Sequence, residues 1–143
     1  MKQGLRRLGI LLALVAGVAG AHAGAMIDVG DNVAYRLTVH GLGNDVAEND
    51  TRVVRTRGQL DQVAKITGET PEAVAAACVR TAGWFFDVSR TKASSLEMLD
   101  ALVKLAKAGT PMQDTLRDYV QARRQVAGHG HAEALAVLAG GKK

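Results

Sequence analysis

The chain has 143 residues, enough for one domain with one modest core. It is rich in alanine and only 3% of its residues are aromatic, which favours packed helices over a sheet sandwich. Of its 18 Lys and Arg residues, three lie in residues 1–23, which hold none of the 14 Asp and Glu residues, so residues 24–143 carry 15 against 14 and a net charge of +1. A chain so close to neutral lacks the basic excess expected of a protein that binds nucleic acid or an anionic membrane.

The first predicted element is a cleaved secretory signal peptide over residues 1–23. It begins with basic residues, continues with an apolar run over residues 8–20 that is too short for a comfortable membrane span, and ends with small residues at Ala21 and Ala23. The sequence therefore predicts a periplasmic or secreted protein with no membrane span after cleavage. Residues 24–143 are expected to form a single, mainly helical domain.

An N-terminal β-hairpin is predicted next. Residues 32–40 alternate between apolar side chains and polar or small ones, which is the period of a half-buried strand. Glycines and acids over residues 41–50 break this pattern, and residues 51–56 could form the return strand. Because a two-stranded hairpin is only marginally stable alone, it would have to lie on the helices. Residues 24–31 are expected to form a short strand or a frayed arm.

Helices are predicted for the rest of the chain. Thr70-Pro71-Glu72 is a strong start for a central helix, since Thr can cap, Pro fits the first turn and Glu suits the positive dipole end. The other expected helices cover residues 60–67 (ended by Gly68), the segment from Ser94 or Ser95 to Gly109, the segment after Thr110-Pro111, and residues 132–138. The predicted fold is a mainly α-helical bundle of about four to five helices, on which the hairpin could pack.

The central helix, residues 70–90, holds the only tryptophan and both phenylalanines of the chain. Because Trp84, Phe85 and Phe86 are consecutive residues of a helix, their side chains point in three different directions and cannot all face one core. One of them must contact a second layer or a partner chain. Trp84 and Phe86 are therefore candidate partner-binding residues.

Cys78 is the only cysteine, and it lies on the apolar face of the same helix. One cysteine cannot form an internal disulfide. A buried small hydrophobic side chain is the first interpretation of Cys78, and an interchain disulfide is the second. A nucleophilic thiol is a distant third, since nothing beside it supplies a base.

The segment His129-Gly130-His131 is a candidate metal site for zinc, copper or nickel. Two histidines are too few for a structural site, and a glycine between them suggests a solvated loop. An alternative function nevertheless stays open, in which the chain is a periplasmic metal- or small-ligand-binding protein that uses His129 and His131.

Arg117, Arg123 and Arg124 are expected on one face of the fourth helix, interspersed with acids. A solvated face is the simplest interpretation of this pattern. The same face is a candidate partner surface, because arginine is enriched at protein interfaces.

Residues 60–77 resemble the first two helices of a repressor-type helix-turn-helix, with Gly68 at the turn. Glu69 and Glu72 would place two acids at the start of the recognition helix, where they would repel phosphate. DNA binding is therefore a minor alternative, and it requires that the N-terminus is not processed. Two helices packed through a tight glycine turn explain the same residues.

The sequence contains no phosphate-binding glycine loop, nucleophile elbow, haem attachment motif or paired-carboxylate site, so neither an enzyme nor a cofactor is expected. The leading hypothesis is an exported, non-enzymatic protein that binds another protein of the cell envelope, with homodimerisation as an option. Inhibitors, immunity proteins and envelope accessory proteins act in this way. The chain is similar in size and helical character to the exported helical immunity proteins that guard against type VI amidase effectors, without a shared motif and without a second cysteine.

Overall fold

Six α-helices and one short 3-10 turn make up residues 32–140, which are the residues that the computed structural model describes. The elements are α1 (Val33–Leu42), α2 (Thr51–Thr67), α3 (Pro71–Ser89), α4 (Ser95–Leu105), α5 (Met112–Gln125), the 3-10 turn (Ala127–His129) and α6 (His131–Gly140). The prediction of a mainly helical bundle is confirmed over this range. Within the same residues, no helix combines the length and hydrophobicity needed to cross a bilayer.

The segment predicted as the first hairpin strand, residues 32–40, is helical from Val33 onward. Asn32 caps α1 by accepting a hydrogen bond from the backbone N–H of Tyr35 at 3.2 Å, and Gly43 ends the helix in the left-handed conformation. The buried positions of α1 follow the i, i+3, i+4 spacing of a helix and are Ala34, Leu37 and Thr38. The alternation in the sequence was therefore a misleading signal, because the same residues also fit a helical period.

The predicted return strand, residues 51–56, is the first part of α2. Asp50 caps this helix by accepting from the backbone N–H of Arg52 at 2.8 Å. The two N-terminal helices are joined in the interior by a hydrogen bond of 2.9 Å between the hydroxyls of Thr38 and Thr56. Helices thus occupy both segments assigned to the hairpin, while residues 24–31 and the predicted signal peptide lie outside the described residues.

The central helix α3 begins as predicted. Thr70 accepts a hydrogen bond from the backbone N–H of Ala73 at 3.1 Å, and Pro71 is the first helical residue. The helix packs against α1, α2, α4 and α5. Its buried face includes Cys78 and Phe85, and full burial of a side chain such as Phe85 contributes about 1.5–3 kcal/mol.

The boundaries of α4 and α5 differ in part from the prediction. Ser94 caps α4 through a capping box with Glu97, but the helix ends at Leu105 and not at Gly109, which lies in the following turn. Thr110 does not cap α5, whose first turn receives no side-chain hydrogen bond. The last predicted helix, residues 132–138, lies inside α6.

Close packing between α1 and α4 generates a prediction at Gly41. A Cβ atom at Gly41 would collide with the side chain of Leu96 and lie 3.0 Å from Oγ of Ser94. We expect Gly41→Ala to lower the free energy of unfolding by about 1–3 kcal/mol, because the α4 N-terminus must shift. Urea unfolding followed by far-UV circular dichroism measures this change.

Gly58→Ala is the matched control. Gly58 is also helical, and a Cβ atom there meets no atom within 4 Å. This substitution is expected to raise the free energy of unfolding by about 0.5–1 kcal/mol, because alanine loses less backbone entropy on folding. Equal effects at the two positions would show that the α1–α4 contact is not tight.

Candidate functional site

The three consecutive aromatic residues of α3 occupy different environments. Phe85 is fully buried, whereas Trp84 and Phe86 are 41% and 39% exposed. Residues two apart are separated by about 200° round an α-helix. Trp84 and Phe86 therefore lie on opposite flanks of the buried face of α3, and the two predicted partner-binding aromatics do not form one surface.

Trp84 lies at a shallow cleft of about 190 Å³ between α3 and α5. The side chains that line the cleft include Ala77, Arg80, Thr81, Trp84, Leu116 and Arg117. The structure thus brings together two residues, Trp84 and Arg117, that the sequence had proposed separately as partner-binding. Arg117 forms ion pairs on its own helix, with Asp114 at 2.9 Å and with Asp118 at 3.4 Å.

The exposed side of α3 continues past Trp84 to Asp87 and Val88. We define the Trp84 face as Arg80, Trp84, Asp87 and Val88. Both charged residues of this face are exposed, and neither forms an ion pair with another residue of the described range 32–140. The Trp84 face therefore combines an exposed aromatic ring with two opposite charges that lack intramolecular partners there.

Arg123, predicted on the solvated face of α5, is instead buried and only 4% exposed. Its guanidinium donates to the carbonyl of His129 at 2.7 Å, to the hydroxyl of Tyr119 at 2.9 Å and to the carboxylate of Glu97 at 3.0 Å. The same group lies 4.8 Å from the centre of the Phe85 ring, within cation–π range. The charge is thus buried with a carboxylate and two neutral acceptors, which offset its desolvation.

The spacing of Arg123 was a signal that the prediction missed. Arg123 follows Tyr119 by four residues and Leu116 by seven, so it shares their buried side of α5. Arg117 and Arg124 are exposed, as expected for partner-binding candidates. Only these two of the three predicted arginines are available on the surface.

The two histidines of the candidate metal site are parts of the same polar network. His131 contacts the hydroxyl of Tyr119 through Nδ1 at 2.6 Å and the carboxylate of Asp100 through Nε2 at 2.8 Å. Since Tyr119 accepts from Arg123, its own proton can be donated to Nδ1, and Nε2–H then donates to Asp100. These two contacts connect α6 to α4 and α5.

His129 joins this network through Arg123, whose guanidinium donates to the His129 carbonyl. Its Nδ1 lies 3.1 Å from the carbonyl of Arg123, and its ring packs edge-on against Phe85. His40 is exposed at the far end of α1, where Nδ1 contacts the hydroxyl of Ser95 at 3.0 Å. Among residues 32–140, no group of three or more His, Cys, Asp and Glu side chains is placed to hold a metal ion. Metal binding by His129 and His131 stays a prediction.

Burial and hydrogen bonding shift two pKa values in this network. Burial raises the pKa of Tyr119 to about 12, against the opposing effect of the Arg123 charge. Burial also acts to raise the pKa of Asp100, but its hydrogen bonds and charge interactions with Lys104 and His131 outweigh burial and lower it. Tyr119 is completely buried. The Asp100–His131–Tyr119 chain therefore links α4, α5 and α6.

Cys78 is fully buried in the core, and burial raises the pKa of its thiol to about 12. The environment therefore opposes thiolate formation. An interchain disulfide stays a prediction, and it would require the thiol to leave the core.

The proposed helix-turn-helix segment is two helices, α2 and α3, joined by a short turn at Gly68. Gly68 has a φ of 73°, a left-handed conformation that suits glycine. Glu69 is exposed at this turn, and α3 is covered by four other helices. The geometry fits the simpler interpretation of two packed helices as well as it fits a DNA reader.

Comparison of the chain with protein-family models, with curated proteins and with solved structures gives no match.

The buried network generates a prediction at Tyr119. Tyr119→Phe removes the hydroxyl that accepts from Arg123 and contacts His131. We expect the free energy of unfolding to fall by about 1–3 kcal/mol, because a buried donor loses its partner. Chemical unfolding of the variant and the parent measures the difference.

Tyr35→Phe is the matched control, because the Tyr35 hydroxyl makes no hydrogen bond with another residue in the range 32–140. Its effect is expected to stay within about 0.5 kcal/mol. Equal effects of the two substitutions would mean that the Tyr119 hydroxyl contributes nothing specific.

Proposed function

We propose that this chain is an exported, non-enzymatic protein that acts by binding another protein through the Trp84 face and the adjoining α3–α5 cleft. An inhibitor, an immunity protein or an envelope accessory protein would work in this way. The observation that carries the proposal is the exposed Trp84 ring, 41% accessible at the edge of a cleft that also holds Arg80 and Arg117.

Tryptophan and arginine are the side chains that most often dominate binding energy at protein interfaces. An aromatic ring beside a cleft offers apolar area, and the arginines at its edge offer charged hydrogen bonds to a partner. Arg80 supports this role further, since no residue of the described range neutralises it.

Trp84→Ala is expected to weaken partner binding by about 30-fold or more, because loss of a central aromatic contact costs about 2 kcal/mol or more. The measurement is affinity capture from the envelope fraction of the native host, with the parent and variant proteins immobilised at equal density. The bound proteins are quantified by mass spectrometry.

Phe86→Ala is the matched control for this experiment. It removes an aromatic ring of similar exposure from the opposite flank of α3, so a partner on the Trp84 face is expected to be retained. Unchanged capture by Trp84→Ala would overturn the proposed surface. Loss of capture by Phe86→Ala alone would move the binding surface to the other flank.

The exported location has its own test. We expect the protein, expressed with its native N-terminus and recovered from the host, to have an intact mass that lacks residues 1–23, because signal peptidase reads the small residues before the cut. The mass is measured without reductant, so a disulfide-linked dimer through Cys78 would also be seen. An uncleaved chain would argue against export and would favour the DNA-binding alternative.

A further inference from the structure

We propose that a second copy of this chain docks on the Trp84 face, so that the α3 helices of two copies pack antiparallel about a two-fold axis near Trp84. The inference rests on the proposed protein-binding role of this face and names a partner for it. It is carried by the positions of Arg80 and Asp87 on either side of Trp84.

The spacing of these charges is self-complementary. Arg80 precedes Trp84 by four residues and Asp87 follows it by three, so they lie about 6 Å and about 4.5 Å from it along the helix axis. Round the axis, both lie about 40–60° to the same side of Trp84. In an antiparallel copy the order reverses, and Asp87 of the second copy then lies opposite Arg80 of the first.

A two-fold axis makes this contact twice, once on each side of the paired tryptophans. The residues on the other side of Trp84 also face each other in this arrangement. Thr81 precedes Trp84 by three residues and Val88 follows it by four, and both lie about 40–60° to the other side. Thr81 of one copy therefore lies opposite Val88 of the other, so one edge of the contact is charged and the other mostly apolar.

The two charges of the Trp84 face favour a second copy. Some exposed charges of residues 32–140 pair within one helix, as Lys104 does with Asp100 at 2.7 Å and Arg117 with Asp114 at 2.9 Å. Arg80 and Asp87 are exposed and have no such partner within residues 32–140. A partner that satisfies both must present one acid and one base at matching positions, and another copy of α3 does so.

The test is sedimentation equilibrium of the purified protein from about 1 μM to about 1 mM. This range detects dimers with dissociation constants up to about 1 mM. The parent protein is expected to dimerise as its concentration rises. Arg80→Glu and Asp87→Arg are each expected to raise the dimer Kd about tenfold or more, because like charges then meet at two places. The combined variant is expected to return to within about threefold of the parent, since both ion pairs are rebuilt in reverse.

Circular dichroism and thermal unfolding of the variants verify folding, which exposed substitutions are expected to leave intact. A parent protein that stays monomeric up to 1 mM would overturn the dimer, as would a dimer that neither single reversal weakens. Weakening by both single variants without recovery in the combined variant would overturn the antiparallel register. None of these outcomes affects the proposed function, which is tested separately by capture of the envelope partner with Trp84→Ala and Phe86→Ala.

Discussion

The buried guanidinium of Arg123 is the constraint on which much of the bundle depends. Transfer of a charge into a core costs several kcal/mol unless its partners are placed to receive it. Glu97 on α4, Tyr119 on α5 and the His129 carbonyl after α5 supply those partners at 2.7–3.0 Å. Removal of any one would leave a buried polar group unsatisfied, so the positions of α4, α5 and the 3-10 turn are interdependent.

The same charge also fixes the rotation of α3. Arg123 lies over the ring of Phe85, and His129 packs edge-on against that ring. Once Phe85 points into the core, helical geometry places Trp84 and Phe86 on the two flanks. The exposure of Trp84 is therefore a consequence of core packing and of residue spacing together, and the α3–α5 cleft beside it is held by the helix that carries Arg123.

Local signals in the sequence were sufficient for some of these features. The cap at Thr70 was predicted, and the start of α4 was narrowed to Ser94 or Ser95, because capping depends on residues within one turn. Helix α1 was mistaken for a strand because Ala34, Leu37 and Thr38 form a helical stripe inside an alternating pattern. The buried side of α5 that Arg123 occupies could have been inferred from its spacing to Tyr119, but its carboxylate partner could not, because Glu97 is 26 residues away in the chain.

Prediction of the candidate site was limited in a similar way. The sequence predicted that Trp84, Phe85 and Phe86 could not share one core and named Trp84 and Phe86 as partner-binding candidates. It could not show that residues of α5 form a cleft beside Trp84. The placement of Arg80 and Asp87 on either side of Trp84 indicates a two-fold contact only because both residues are exposed and unpaired within the described residues. Because a second copy and a different partner would use the same ring, they compete for one surface. A different partner must then displace the copy by offering its own acid to Arg80 and its own base to Asp87.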